Sequence, residues 1–193
     1  MKRIHVLAVA ALVLPAALTA QQPAPAQPPA NPITLAFKTS GARYAGWLTS
    51  AFDSIPASKY GFKPTPVQQS VGYVAQHLES ANYQLCSRFG GPAYVMTARD
   101  SLADTVKAAW PKDTLTARLK ASFAYCDAAM NAVTDAKLTD EVPFGPPGSG
   151  RTAARARYVL GYVTDLVDHY SQIANYMRLN SMVPPSSAPR PRM

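Results

Sequence analysis

The chain has 193 residues, 48% of them hydrophobic, which is enough for one domain with a sizeable core and too few for two. Its formal charge of +8 falls to +6 without Lys2 and Arg3, and to +4 without Arg190 and Arg192 as well. The basic residues of the body are scattered, with no basic stripe interleaved with aromatics, which argues against nucleic acid as a partner.

Residues 1–20 read as a secretory signal peptide. Lys2 and Arg3 form its charged start, "IHVLAVAALVLPAALTA" its apolar run, and Ala20 the small residue before a polar stretch. The run is short for a membrane span, so the reading is cleavage near Gln21 rather than an uncleaved anchor. No cysteine follows it to carry a lipid. The mature chain is then exported, to the periplasm or beyond, with no stable membrane insertion. Residues 21–32, "QQPAPAQPPANP", are a Pro-rich linker.

The domain spans residues 33–182. From Ile33 to Ser54, Leu35, Phe37, Tyr44, Trp47, Leu48 and Phe52 recur at helical rather than strand intervals. "SIPASKYGFKPTP" breaks that helix. A second runs from Val67 to Arg88, with Val71, Val74, Ala75, Leu78, Asn82 and Leu85 on one stripe, and ends at Gly90, Gly91 and Pro92. "TARDSLADTVKAAW" predicts a short helix stopped by Pro111. Asp113 or Thr114 is placed to cap the next, which carries Leu115, Leu119, Phe123, Cys126, Met130 and Val133. "FGPPGSGR" is another breaker, and the last helix is expected over Thr152–Asn180. Residues 183–193 read as a disordered Pro-rich tail. No segment alternates strictly, so no strand is required, and the expected fold is an all-α four-helix bundle.

Two cysteines, Cys86 and Cys126, remain after the signal. In an oxidising compartment an even count favours one disulfide, here tying the second helix to the one that carries Cys126; the alternative is two buried thiols.

The last helix raises the functional question. At 100° per residue, Val159, Leu160, Val163, Leu166, Val167, Tyr170, Ile173 and Met177 form an apolar side. Beside it run Tyr158, Tyr162, Asp165, His169, Gln172 and Tyr176. Asp165 and His169, four apart, point the same way; Asp168 lies a quarter turn or more from His169 and is the weaker partner. His5 leaves with the signal, so His77 and His169 are the remaining histidines. Two imidazoles and a carboxylate inside a bundle can bind a first-row divalent metal and leave positions open. The plainer reading is a local Asp165–His169 hydrogen bond with His77 on the surface. A haem held by His77 and His169, or by a histidine and Met177, is a third.

"GFKPTPVQQSVGYVAQHLESANYQLC" and "GYVTDLVDHYSQIANYMRLNSMVPPSS" together resemble the two signatures of the DinB-like superfamily. In the first, a Lys-Pro stretch leads into a helix with a ligand histidine. In the second, the last helix carries a His-x3-His pair, a Gly-Gln-Ile-like stretch, a Leu-Arg and a closing Pro-Pro. The resemblance covers Ile33 to Ser187. It implies a four-helix bundle of DinB/YfiT type, often dimeric, with His77 and His169 as metal ligands. Asp165 falls where the family usually has histidine, and Ser171 where it usually has glycine. The ion implied is Zn, Ni, Mn or Fe, with Asp165 making the site harder and richer in oxygen. Asp168 or Tyr162 would support the ligands from behind. The family's better understood members resemble metal-dependent transferases and isomerases that use small thiols, a chemistry poorly suited to an exported protein. Two functions follow: a metal-dependent transferase or hydrolase acting on a small molecule, or a non-catalytic bundle whose metal site has lapsed at Asp165.

Overall fold

The structure is a computed structural model that describes residues 29–146 and 148–189. The expected signal peptide lies outside these residues. Four long helices form the bundle: α1 (Pro32–Ser54), α2 (Val71–Cys86), α4 (Lys112–Met130) and α5 (Arg155–Leu179). A short α3 (Asp104–Ala108) precedes α4. Around the bundle, α1 packs on α4 and α5, and α2 packs on the same two helices. Among the described residues no helix is long and apolar enough to cross a membrane.

The core is the set of apolar residues that the helical spacing singles out. Leu48 and Phe52 of α1, Val74 and Leu78 of α2, Leu115 and Leu119 of α4, and Leu166, Ile173 and Met177 of α5 are all buried. Burying a side chain of this size contributes about 1.5–3 kcal/mol. Leu160 and Val167, on the predicted apolar side of α5, are instead substantially exposed, so that side is narrower than the wheel suggests. Cys86 and Cys126 form the disulfide, tying α2 to α4 within the core.

The helix ends depart from the sequence reading in instructive ways. α2 starts at Val71 rather than Val67, because the Ser70 hydroxyl accepts a hydrogen bond from the Tyr73 N–H and caps the helix there. α4 starts at Lys112, directly after Pro111, so neither Asp113 nor Thr114 is its cap; Asp113 lies in the first turn, where a negative charge suits the helix dipole. The Lys112 ammonium donates to the carbonyls of Asp53 and Ile55, at the C-terminal end of α1. α1 has Pro32 in its first turn and no side-chain cap of its own. Its free N–H groups are met from across the bundle by Asp135, which accepts from Ile33 (3.1 Å) and Thr34 (2.7 Å).

Strands do occur. β1 (Glu141–Pro143) and β2 (Thr152–Ala154) pair antiparallel, with Val142 opposite Ala153, and this pairing delays the start of α5 from Thr152 to Arg155. Three residues each is too short for alternation to show in a sequence. The C-terminal segment also differs from a frayed tail. Pro185–Ser187 form a single 3-10 turn, Pro184 is buried, and the Ser186 N–H donates to the Tyr170 hydroxyl at 2.8 Å.

Candidate metal centre

The site lies in the seam between α2 and α5. His77 projects from α2, and Asp165 and His169 project from successive turns of α5. Asp165 Oδ1 is 3.6 Å from His169 Nε2 and 3.8 Å from His77 Nε2. One nitrogen or oxygen from each residue falls within 4.8 Å of the other two. The imidazoles meet edge to face with ring centroids 4.7 Å apart.

These separations are too long for hydrogen bonds. They are close to the spacing of donor atoms around one ion, since bonds of about 2.0–2.2 Å to a tetrahedral centre put neighbouring donors about 3.4 Å apart. A second observation points the same way. Asp165 Oδ2 is buried and has no hydrogen-bond partner among the described residues. A buried carboxylate oxygen is costly unless a positive group or donor meets it. The donor set therefore fits a divalent cation, and the local Asp165–His169 hydrogen bond of the plainer reading is not formed.

The network behind His169 fixes which nitrogen faces the site. His169 Nδ1 is 2.9 Å from Gln172 Oε1, Gln172 Nε2 is 2.9 Å from the Tyr176 hydroxyl, and that hydroxyl is 3.0 Å from the Gln69 carbonyl. A carbonyl can only accept, so Tyr176 donates to Gln69. Its oxygen is then left to accept from the Gln172 amide, which turns Gln172 Oε1 toward the histidine. His169 Nδ1 must carry the hydrogen, so in the neutral imidazole the lone pair is on Nε2, on the side of Asp165. Carboxamide or carboxylate partners of this kind orient a metal-ligating imidazole and raise its basicity.

Exposure differs across the three. The His169 side chain is 10% exposed, Asp165 25% and His77 36%, so the site opens to solvent on the α2 side. The neighbouring Asp165 carboxylate lifts the His77 imidazole above its ordinary range, against burial, and Asp104 pushes in the same direction. The Tyr73 ring lies parallel to His77, 6.5 Å between centroids.

Neither proposed supporting residue reaches the site. Asp168 is exposed, and its carboxylate has no hydrogen bond or ion pair among the described residues. Tyr162 is buried toward α1, its ring filling the space that a Cβ on Gly41 would need and meeting Phe89 edge-on. Burial and the Asp127 charge raise its hydroxyl pKa further. The supporting role falls instead to Gln172 and Tyr176, one turn and two turns after His169. The haem reading fails on geometry: imidazole centroids 4.7 Å apart leave no room for a porphyrin between two axial ligands, and Met177 is buried in the core.

A profile of the DinB superfamily matches residues 42–173, more than half of the chain, and the chain belongs to that superfamily. Its fold is similar to the crystal structure of a DinB-like protein from Bacillus cereus ATCC 10987, with a TM-score of 0.59 and 19% identity over 77% of this chain and 93% of that one. It is also similar to a conserved protein from Enterococcus faecalis, with a TM-score of 0.56 and 16% identity over 76% of this chain and 96% of the other. At these identities the likeness concerns the fold. No curated protein matches the sequence.

Proposed function

We propose that this chain is an exported divalent-metal-binding protein, with His77, Asp165 and His169 as ligands, and that it acts on a small molecule as a transferase or hydrolase. The observation that carries the metal is the Asp165 carboxylate, whose Oδ1 stands 3.6 and 3.8 Å from two imidazole nitrogens, distances that suit a shared ion and not hydrogen bonds, while its buried Oδ2 has no partner among the described residues. Export is supported by the charged, apolar and small-residue pattern of residues 1–20 and by a disulfide in the folded domain.

Two imidazoles and one carboxylate suit Zn, Fe, Mn or Ni and leave part of the coordination shell free. The ion would supply Lewis-acid polarisation of a carbonyl or phosphoryl oxygen. The chain supplies the rest. Asp165 provides one negative charge, His169 is held in one tautomer by Gln172, and the more exposed His77 stands on the side from which a substrate approaches.

The test is metal content by mass spectrometry on protein exported with its own signal and purified without chelator. Near one ion per chain, lost in His77→Ala and His169→Ala, is the expected result. Absence of metal from every version would overturn the metal reading and favour a bundle whose metal site has lapsed.

A further inference from the structure

A second feature lies beside the seam. A cavity of about 440 Å³ opens between α2 and the segment joining it to α3, within the size range of small-molecule sites. Its apolar wall includes Met96 and two tyrosines, Tyr83 and Tyr94, whose rings stack at 3.8 Å. Two links run from its wall to His77: Ser80 is one turn after His77, and Asp104 accepts from the hydroxyl of Tyr73, the ring that lies along His77.

The charged groups of the wall have partners, with one exception. Glu79 accepts two bonds from Arg118 (3.0 and 2.6 Å), and Asp100 accepts from the same guanidinium and from Thr97. Lys107 is buried among Asp104 Oδ1, Ser80 Oγ and the Asp100 carbonyl at 3.1, 3.2 and 3.4 Å, three acceptors for its three hydrogens. Arg88 lines the cavity half-buried, and among the described residues its guanidinium has neither a carboxylate nor a carbonyl partner. The Gln84 amide, also on the wall, has no side-chain hydrogen bond there either. A ring surface, a free guanidinium fork and a free amide form a recognition set for one ligand class.

We propose that this cavity binds a small aromatic carboxylate, its ring against Tyr83 and Tyr94 and its carboxylate on Arg88. Glu79, Asp100 and Asp104 do not compete for Arg88, because Arg118 holds the first two and Lys107 holds the third. The proposal does not depend on the metal, and none of the three metal ligands lines the cavity.

The probe is benzoate, titrated into the mature, chelator-treated protein and followed by amide chemical shifts. The expected result is saturable shifts at Ser80, Gln84 and Ser87. Affinity should fall about tenfold or more in Arg88→Gln and for uncharged benzyl alcohol, the size expected for a charge-assisted hydrogen bond. Tyr94→Leu should weaken both probes. No saturable shift, equal binding of benzyl alcohol, or an unchanged Arg88→Gln would overturn the proposal. Benzoate that binds only metal-loaded protein, with shifts confined to His77 and His169, would also overturn it while leaving the metal reading intact.

Discussion

At the scale of single residues, the position of one proton decides what His169 can do. The chain from Gln69 through Tyr176 and Gln172 puts a hydrogen on Nδ1, so in the neutral imidazole the lone pair is on Nε2, on the side of Asp165. Tyr176→Phe removes the link that gives the chain its direction, so Gln172 can turn over and the tautomer is no longer specified. Metal affinity should fall about 10–100-fold, the usual cost of losing a group behind a ligand histidine. Folding stability should change by only about 0.5–1.5 kcal/mol. Competition with a chelator measures the first and urea unfolding the second; equal affinity in the variant would show that the network is structural only. Much of the site is legible in the sequence. Two of the three histidines, His77 and His169, lie in the domain, and four-residue spacing selects Asp165 over Asp168. The supporting network is not legible, because Tyr176 meets Gln69 across 107 residues and no local pattern encodes that contact. Tyr162 misleads for a related reason: it lies two turns before His169 at nearly the same azimuth, but the absence of a side chain at Gly41 lets its ring turn toward α1.

Asp100 gives a second prediction at this scale. Burial alone would raise its pKa, but the Thr97 N–H and hydroxyl, the Tyr94 hydroxyl and Arg118 outweigh it and hold the carboxyl at about 2. A carboxylate with a folded pKa below its unfolded one stabilises the fold fully above the unfolded value and loses that contribution as pH falls through the folded value. The stability difference between the wild type and Asp100→Asn should therefore be largest near neutrality and shrink between about pH 5 and pH 2. Urea unfolding at several pH values reads this directly; a constant difference would mean that Asp100 acts through packing and not through its charge.

At the scale of elements, what the sequence hides is how segments end and how closely they approach. The pair Gly90–Gly91 reads as a helix breaker, and Gly90, at φ +85°, needs that freedom. Gly91 serves a different purpose. A Cβ there would fall 2.4 Å from the Ala129 Cα, so its lack of a side chain lets the chain after α2 lie directly on α4. Gly91→Ala should cost about 1–3 kcal/mol as an overpacked contact, measured by thermal or urea unfolding. The neighbouring disulfide constrains the same pair of helices. With a sequence separation of 40 between Cys86 and Cys126, the chain-entropy estimate for losing the bridge is about 4 kcal/mol, so the Cys86→Ser, Cys126→Ser double variant should unfold at markedly lower urea. Bundle helices are legible because their apolar periods extend over several turns. The β1–β2 pair, the Ser70 cap and the Asp135 cap on α1 are local or long-range hydrogen-bond choices that leave periodicity untouched.

For the whole molecule, the seam couples the site to the stability of the bundle. α2 and α5 bring the ligands together only in the folded state, because His77 and Asp165 are separated by 88 positions in the chain. Any ion held by all three therefore binds the native state far better than the unfolded one, and binding must stabilise the fold by mass action. At free metal about a hundred times the dissociation constant the gain is about 2.7 kcal/mol. For a domain of this size that corresponds to a rise in Tm of roughly 5–10 °C. Adding Zn, Mn, Fe or Ni to chelator-stripped protein should raise Tm to different extents, and the order of those increases ranks the ions. His77→Ala and His169→Ala should each remove the response. The partly exposed His77→Ala should leave the metal-free Tm nearly unchanged, and that comparison separates a lost ligand from a damaged bundle. A wild-type Tm indifferent to every ion would mean that the two helices hold Asp165 and the imidazoles together without a metal, and the orphaned carboxylate oxygen would then have to be met by water.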